Sequence, residues 1–150
     1  MTIWIDADGC PNDIRQIVLR ASKRTETPVV LVANRELPEP KAPQASTVRV
    51  GAGADVADNY IAQHMARGDL VVTADLPLAA EVVENGGTAL SPRGETFTAE
   101  SVRQKLSMRD FMEQMRGAGL AGGGPAPQSN RDRQAFANAL DRWLAQQGPD

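Results

Sequence analysis

The chain has one cysteine, Cys10, and one histidine, His64, among 150 residues. A single cysteine excludes an intramolecular disulfide, so nothing points to a secreted, cross-linked scaffold. One Cys and one His also exclude the usual zinc ligand sets. No apolar run approaches the ~18–20 residues that a membrane helix needs. The start, Met1-Thr2-Ile3-Trp4-Ile5-Asp6, has no basic region and meets an acid at once, unlike a signal peptide. A cytoplasmic protein with no membrane partner is therefore expected. There is no Gly-Lys-Ser/Thr phosphate loop. Gly51-x-Gly53 lacks the third glycine of a dinucleotide fingerprint and reads as a tight turn. Cys10 precedes Arg15 by five residues, one short of the Cys-x5-Arg cradle of thiol phosphatases, so it reads as a small buried side chain. His64 reads as a packed or solvated helix residue.

What is present is ordinary in bulk and uneven in detail. The hydrophobic fraction is 41% and the charged fraction 23%. A globular chain of this length buries on the order of 70% of its unfolded surface, enough for one domain, 1–150, without staples. The formal net charge is -3, which argues at first against a nucleic-acid partner. Residues 1–100 carry nine basic and fourteen acidic side chains, whereas residues 101–150 carry seven and five. Thirteen of the sixteen basic residues are Arg, which favours bidentate recognition of phosphate or carboxylate.

Over residues 1–95, apolar runs alternate with helical patterns. Ile3-Trp4-Ile5, Pro28–Ala33, Thr47–Val50, Leu70–Thr73 and Thr88–Leu90 read as strands. Ile14, Ile17, Val18 and Ala21 recur at helical spacing, with Asn12 as N-cap. A second helix is expected over Asp55–Arg67, with Gly68 as C′, and a third over Pro77–Glu84. Arg35–Ser46, with three prolines, reads as an exposed loop. The alternation implies an α/β fold with a mostly parallel sheet covered on both faces. Residues 96–150 read as a helical tail. Two short helices are expected at Thr98–Leu106 and Ser107–Arg116, then a Gly/Pro-rich loop at 117–128. A last helix is expected after the Ser129-x-x-Asp132 capping box, with Phe136, Leu140, Trp143 and Leu144 on one side to dock on the sheet.

The acids fall where strands end. Asp6 and Asp8 follow the first strand, Asp55 and Asp58 open the helix after the third, and Asp75 follows the fourth. In a parallel sheet those ends share one edge, where ligands bind at the reversal of strand order. If the order is 3-2-1-4-5, Asp6 and Asp75 face one crevice. Each acid also has a plainer reading: Asp8 a turn residue, Asp55 and Asp75 N-caps, Asp58 a solvated helix face. Asp69 precedes its strand, at the opposite edge, and reads as structural. Massed carboxylates repel unless a cation balances them. Oxygen donors suit Mg²⁺ or Mn²⁺, which can activate a phosphodiester toward water. Arg93, in Ser91-Pro92-Arg93-Gly94 after the fifth strand, is placed to hold a phosphate. Arg103, Arg109, Arg116, Arg131 and Arg133 are candidates for a basic rim that would bind RNA or single-stranded nucleic acid in a sequence-blind, salt-sensitive way.

Three functions fit these residues. The first is metal-dependent phosphodiester hydrolysis, with Asp6, Asp58 and Asp75 catalytic, Asp6, Asp8, Asp55, Asp58 and Asp75 as metal ligands, and Arg93, Arg109, Arg131 and Arg133 on the substrate. The second is a nucleic-acid- or protein-binding module without turnover. The third is a phosphatase, since Asp6-Ala7-Asp8-Gly9 resembles the first motif of haloacid-dehalogenase-type enzymes. That family's later acidic motif belongs at a strand end, whereas Gly68-Asp69 precedes its strand.

The ordered set Asp6-Ala7-Asp8-Gly9-Cys10-Pro11, Gly53-Ala54-Asp55-Val56-Ala57-Asp58, Gly68–Asp75, Ser91-Pro92-Arg93-Gly94 and Gly123–Pro127 with Asp132-Arg133-Gln134-x-Phe136 resembles the YaiI/YqxD family of bacterial proteins. The family is grouped with PIN-like domains, metal-dependent ribonucleases on a three-layer α/β/α scaffold. The resemblance implies sheet order 3-2-1-4-5. It also implies acids after the first strand, on a central helix and in a Thr-x-Asp after the fourth strand. Asp6, Asp58 and Thr73-Ala74-Asp75 match those positions, with Asp8 or Asp55 as a fourth acid.

Overall fold

The computed structural model describes residues 1–53, 55–117 and 128–147. Its strands are β1 (Ile3–Asp6), β2 (Val29–Ala33), β3 (Ala45–Arg49), β4 (Leu70–Val72), β5 (Thr88–Leu90) and β6 (Thr96–Phe97). Its helices are α1 (Asn12–Thr25), α2 (Val56–His64), α3 (Leu76–Glu84), α4 (Ala99–Gly117) and α5 (Asn130–Gln146), with one 3₁₀ turn at Ala7–Gly9. The sheet order is β3-β2-β1-β4-β5-β6. β1 to β5 are parallel, in a register that places Ile5 between Leu31 and Val72. β6 runs antiparallel on the outer edge. This is an α/β fold with helices on both faces.

Alternation along each strand sorts side chains between the faces. Ile3, Ile5, Leu31, Val72 and Leu90 pack against Ile14 and Val18 of α1 and Phe136, Leu140 and Trp143 of α5. Trp4, Val32, Val71 and Ala89 pack on the other face, against Ile61 of α2, Leu78 and Val82 of α3 and Val102 of α4. The central strands are apolar on both sides because both sides are covered. The outer strand β3 leaves Ser46 and Thr47 exposed. The last helix docks on the sheet as its periodicity predicts. Its capping box is complete: the Ser129 hydroxyl accepts from Asp132 N at 3.2 Å, and the Asp132 carboxylate accepts from Ser129 N at 3.1 Å.

Several local expectations are corrected. α4 is one helix rather than two, because no Gly or Pro interrupts residues 99–116, and a cap-like Ser107 does not by itself break a helix. α1 begins at Asn12 with Pro11 in the cap position, and the Asn12 side chain accepts from Arg15 instead. α2 ends at His64 with Met65 extended, so Gly68 (φ 89°) belongs to the turn into β4. β3 starts at Ala45, drawn in by pairing with Val29. The loop before it is not wholly exposed, since Ala42 is buried and Leu37 packs on the core. β6 has no counterpart in the sequence pattern, as two residues carry no readable period. It follows a turn in which Gly94 adopts φ 91°, and a Cβ there would lie 2.5 Å from the Ala135 carbonyl carbon. Only glycine lets α5 approach this closely. The expected loop at 117–128 lies outside the described residues for 118–127, as do Ala54 and the Arg116 side chain. Among the described residues, no helix is long and apolar enough to cross a membrane.

Candidate metal centre

Strand order reverses between β1 and β4, and the carboxylates gather at the C-terminal end of that pair. Asp6 closes β1. Beyond β4, Thr73 and Asp75 turn the chain into α3. The Thr73 hydroxyl donates to Asp6 Oδ2 at 3.2 Å and accepts from Asp75 N at 3.0 Å, tying the two strand ends together. Asp75 Oδ1 accepts from Leu78 N at 2.8 Å, so Asp75 is the N-cap of α3. That is its plainer reading, and it leaves the second oxygen free of the cap.

Asp55 and Asp58 come from the start of α2. Asp55 occupies the cap position in the left-handed region (φ 69°), yet its side chain caps nothing. Such backbone strain in a non-glycine residue persists only where its surroundings impose it. Asp58, one turn later, is half-buried rather than on a solvated face. Oxygens of Asp55, Asp58 and Asp75 all lie within 4.8 Å of one another. Asp58 is also within hydrogen-bonding reach of both Asp6 and Asp75.

This crowding shows in the proton affinities. Burial, then the charges of Asp6 and Asp75, push Asp58 up to about 7. Asp6 is raised too: burial outweighs the Thr73 hydrogen bond that opposes it, and Asp75 and Asp8 add repulsion. Oxygen donors that resist ionisation beside one another fit a hard divalent cation, whose charge removes the repulsion.

Asp8 is placed differently. Its carboxylate accepts from Asn34 N at 2.7 Å and meets Arg35 Nε at 3.6 Å. It lines, with Asp6, Gly9, Asn34, Asp55 and Asp58, an open cleft of about 280 Å³. A second hollow of about 240 Å³ opens on the other side of Asp55 and Asp58, toward Asp75 and Glu81. Thr73, Asn34 and Glu81 also border the acids. Only Thr73 had a readable signal, its spacing from Asp75.

The arginines are placed unevenly. Arg93 Nη1 meets Asp132 Oδ2 at 2.9 Å, and Arg133 Nη1 meets Asp13 Oδ2 at 2.8 Å, both at the strand-end edge that carries the acids. Arg131 is exposed on the first turn of α5. Arg109 lies on α4 beside Asp110 at 4.0 Å. Cys10 is buried, and burial pushes its thiol up to about 12, which suits packing rather than nucleophilic chemistry. His64 stacks on Tyr60, ring centroids 4.0 Å apart, with Nδ1 2.8 Å from the Tyr60 carbonyl.

A family model described as "Uncharacterized BCR, YaiI/YqxD family" matches residues 4–146. The chain is similar to the UPF0178 protein PC1_0756 of Pectobacterium carotovorum, 55% identical over 146 residues, 97% of each chain. It is also similar to the UPF0178 protein Shewmr4_1560 of Shewanella sp. (strain MR-4), 56% identical over 142 residues, 95% of each chain. A UPF0178 protein of Shewanella amazonensis is 54% identical over 145 residues, 97% of each chain. No solved structure matches the chain.

Proposed function

The chain belongs to the YaiI/YqxD family, and we propose that it is a PIN-like phosphodiesterase of the cytoplasm that uses Mg²⁺ or Mn²⁺ to hydrolyse RNA. The observation that carries this reading is the meeting of the Asp55, Asp58 and Asp75 oxygens within 4.8 Å, at the sheet's switch point and beside Asp6. The sheet order through β5 is also the one that the PIN-like resemblance implies.

In this reading Asp6, Asp55, Asp58 and Asp75 would hold the cation. Asp8 shapes the cleft wall. When bound, a divalent cation supplies Lewis acidity to a phosphodiester and lowers the pKa of water. Thr73 is a positioning residue that holds Asp6 and the Asp75 backbone at a fixed separation. Asp58 would have to be ionised to hold a cation, so loading should be tighter at pH 8 than at pH 6. Arg93, Arg131 and Arg133 hold the phosphate backbone beside the cleft, and Arg109 extends that hold along α4.

Two measurements test this. Millimolar Mn²⁺ is expected to raise the melting temperature of the wild type, and Asp6→Asn or Asp75→Asn is expected to abolish the rise. The wild type is then expected to cleave single-stranded RNA with Mn²⁺. Asp6→Asn should lower that rate by more than roughly a hundredfold, since even outer-shell changes cost 10–100-fold. Absence of a thermal shift in the wild type overturns the metal centre. A shift without cleavage leaves a binding module.

A further inference from the structure

A hollow larger than the acidic cleft lies next to it, between the first turns of α1 and the loop of residues 34–44. It measures about 380 Å³, within the range of small-ligand sites. Its floor is apolar, made by Leu31 of β2, Leu19 of α1, and Leu37, Pro38 and Pro40 of the loop. Its charge comes from Arg15 and Lys41, against Glu39 as the one acid on the wall among the described residues. Arg15 is incompletely served. Nη2 donates to Asn12 Oδ1 at 3.3 Å, while Nε is buried with no hydrogen-bond partner among the described residues. Nε is closed off from the hollow, whereas the Nη end is accessible, and an anion in the hollow would give it a charged partner in addition to one amide oxygen. Lys41 is exposed and meets no carboxylate within 4.0 Å among the described residues. An apolar floor beneath two cations calls for a ligand with a flat organic body and an anionic group.

The walls of the hollow follow closely in sequence on the walls of the cleft. Asp8 and Gly9 line the cleft on one side and Asn34 on the other. Three residues past Gly9, Asn12 lines the hollow, and three past Asn34, Leu37 does. Three residues of chain reach no more than about 11 Å, so the cleft and the hollow lie within a short strand's reach of each other, on either side of the contacts of Asp8 with Asn34 and Arg35.

We propose that this hollow is a nucleotide subsite, with the base on the Leu and Pro floor and the phosphate between Arg15 and Lys41. The proposal deepens the nuclease reading and rests on it for the identity of the strand. The ligand's chemistry is that of a nucleoside monophosphate, whether free or as a unit of a single strand. Among the described residues no aromatic ring lines the hollow, so the base is held by packing and is weakly discriminated.

The test uses the full chain without metal, at low salt. Calorimetry with uridine and adenosine monophosphates is expected to show binding. The parent nucleosides should bind roughly tenfold or more weakly, because the charge-assisted contacts are lost. Arg15→Met, which keeps the packed stem, and Lys41→Gln, at an exposed position, should each weaken the monophosphates roughly tenfold without lowering the melting temperature. No binding, or equal binding by both variants, overturns the subsite. A single-stranded trinucleotide then separates the sources. Amide shifts at both Asn34 and Lys41 identify a strand crossing cleft and hollow. Shifts at Lys41 with the mononucleotide alone identify a free nucleotide and overturn the strand assignment. Mn²⁺-dependent RNA cleavage without mononucleotide binding overturns the subsite and leaves the nuclease reading standing. Arg15-dependent nucleotide binding without cleavage does the reverse.

Discussion

Asp69 and Asp6 flank neighbouring strands at opposite edges of one sheet, and their surroundings differ in kind. Asp69, before β4, is 5% exposed and accepts three N–H groups: Thr2 N at 3.0 Å, Trp4 Nε1 at 3.0 Å and Ala66 N at 2.8 Å. Donors surround it, so its charge is satisfied by the fold itself. Asp6, after β1, accepts from the Thr73 hydroxyl and otherwise faces acids. Burial first, then the charges of Asp75 and Asp8, raise its proton affinity against the opposing hydrogen bonds of Thr73 and Asp58. The N-terminal edge uses a carboxylate to tie the start of the chain and β1 to the turn before β4. The C-terminal edge holds carboxylates in mutual repulsion, a state that a cation relieves.

The largest effect expected from breaking this comparison is at Asp69. Asp69→Ala strands three donors, one of them the buried Trp4 indole, and should cost about 3 kcal/mol or more in urea unfolding. Metal-induced stabilisation, measured on whatever remains folded, should be unchanged, because the opposite edge is intact. A variant that loses its Mn²⁺ response in proportion to its stability would show the edges to be linked. Next is Thr73→Val, which removes the hydroxyl shared by Asp6 and Asp75 N. It should weaken Mn²⁺ binding by 10–100-fold, the usual cost of an outer-shell partner, with little loss of metal-free stability. Calorimetric titration with Mn²⁺ reads this directly.

The smallest effect is the pH dependence. Asp58 in the folded protein titrates near 7, against the ordinary 3.8 of the unfolded chain. The folded state therefore binds the proton more tightly between those values, and acidification favours it. The contribution is complete below about pH 4 and is lost as pH rises through 7. The metal-free melting temperature should accordingly climb from pH 8 to pH 5. Asp58→Asn should flatten that climb and stand above the wild type at pH 8. A wild-type melting temperature independent of pH over this range would remove the repulsion from the account.

The difference between the edges was partly legible in the chain itself. Asp69 lies before an apolar run and Asp6 after one, so a parallel sheet sends them to opposite ends. Asp75 likewise declares itself through Thr73-x-Asp75 ahead of Pro77. The plainer readings separated only in three dimensions. Asp75 is an N-cap and a member of the cluster at once, because a carboxylate has two oxygens. Asp55 sits at the cap position but turns through a left-handed conformation and caps nothing. Asp8 has an Arg and a backbone N–H as partners, and both come from the loop after β2, which local pattern does not bring near. The hollow over Leu31 was not legible, since its walls are a helix and a loop about twenty residues apart in sequence.

The sequence by itself determined the strand and helix alternation, the last helix with its capping box, and the presence of acids behind three strands. These depend on period, caps and turn residues, which act over a few positions. Packing alone settled that β6 forms, which acids meet, and that Arg15 Nε is buried without a hydrogen-bond partner among the described residues. Those outcomes depend on which strands are neighbours and how closely helices approach them. That is a matter of packing distances between residues far apart in the chain.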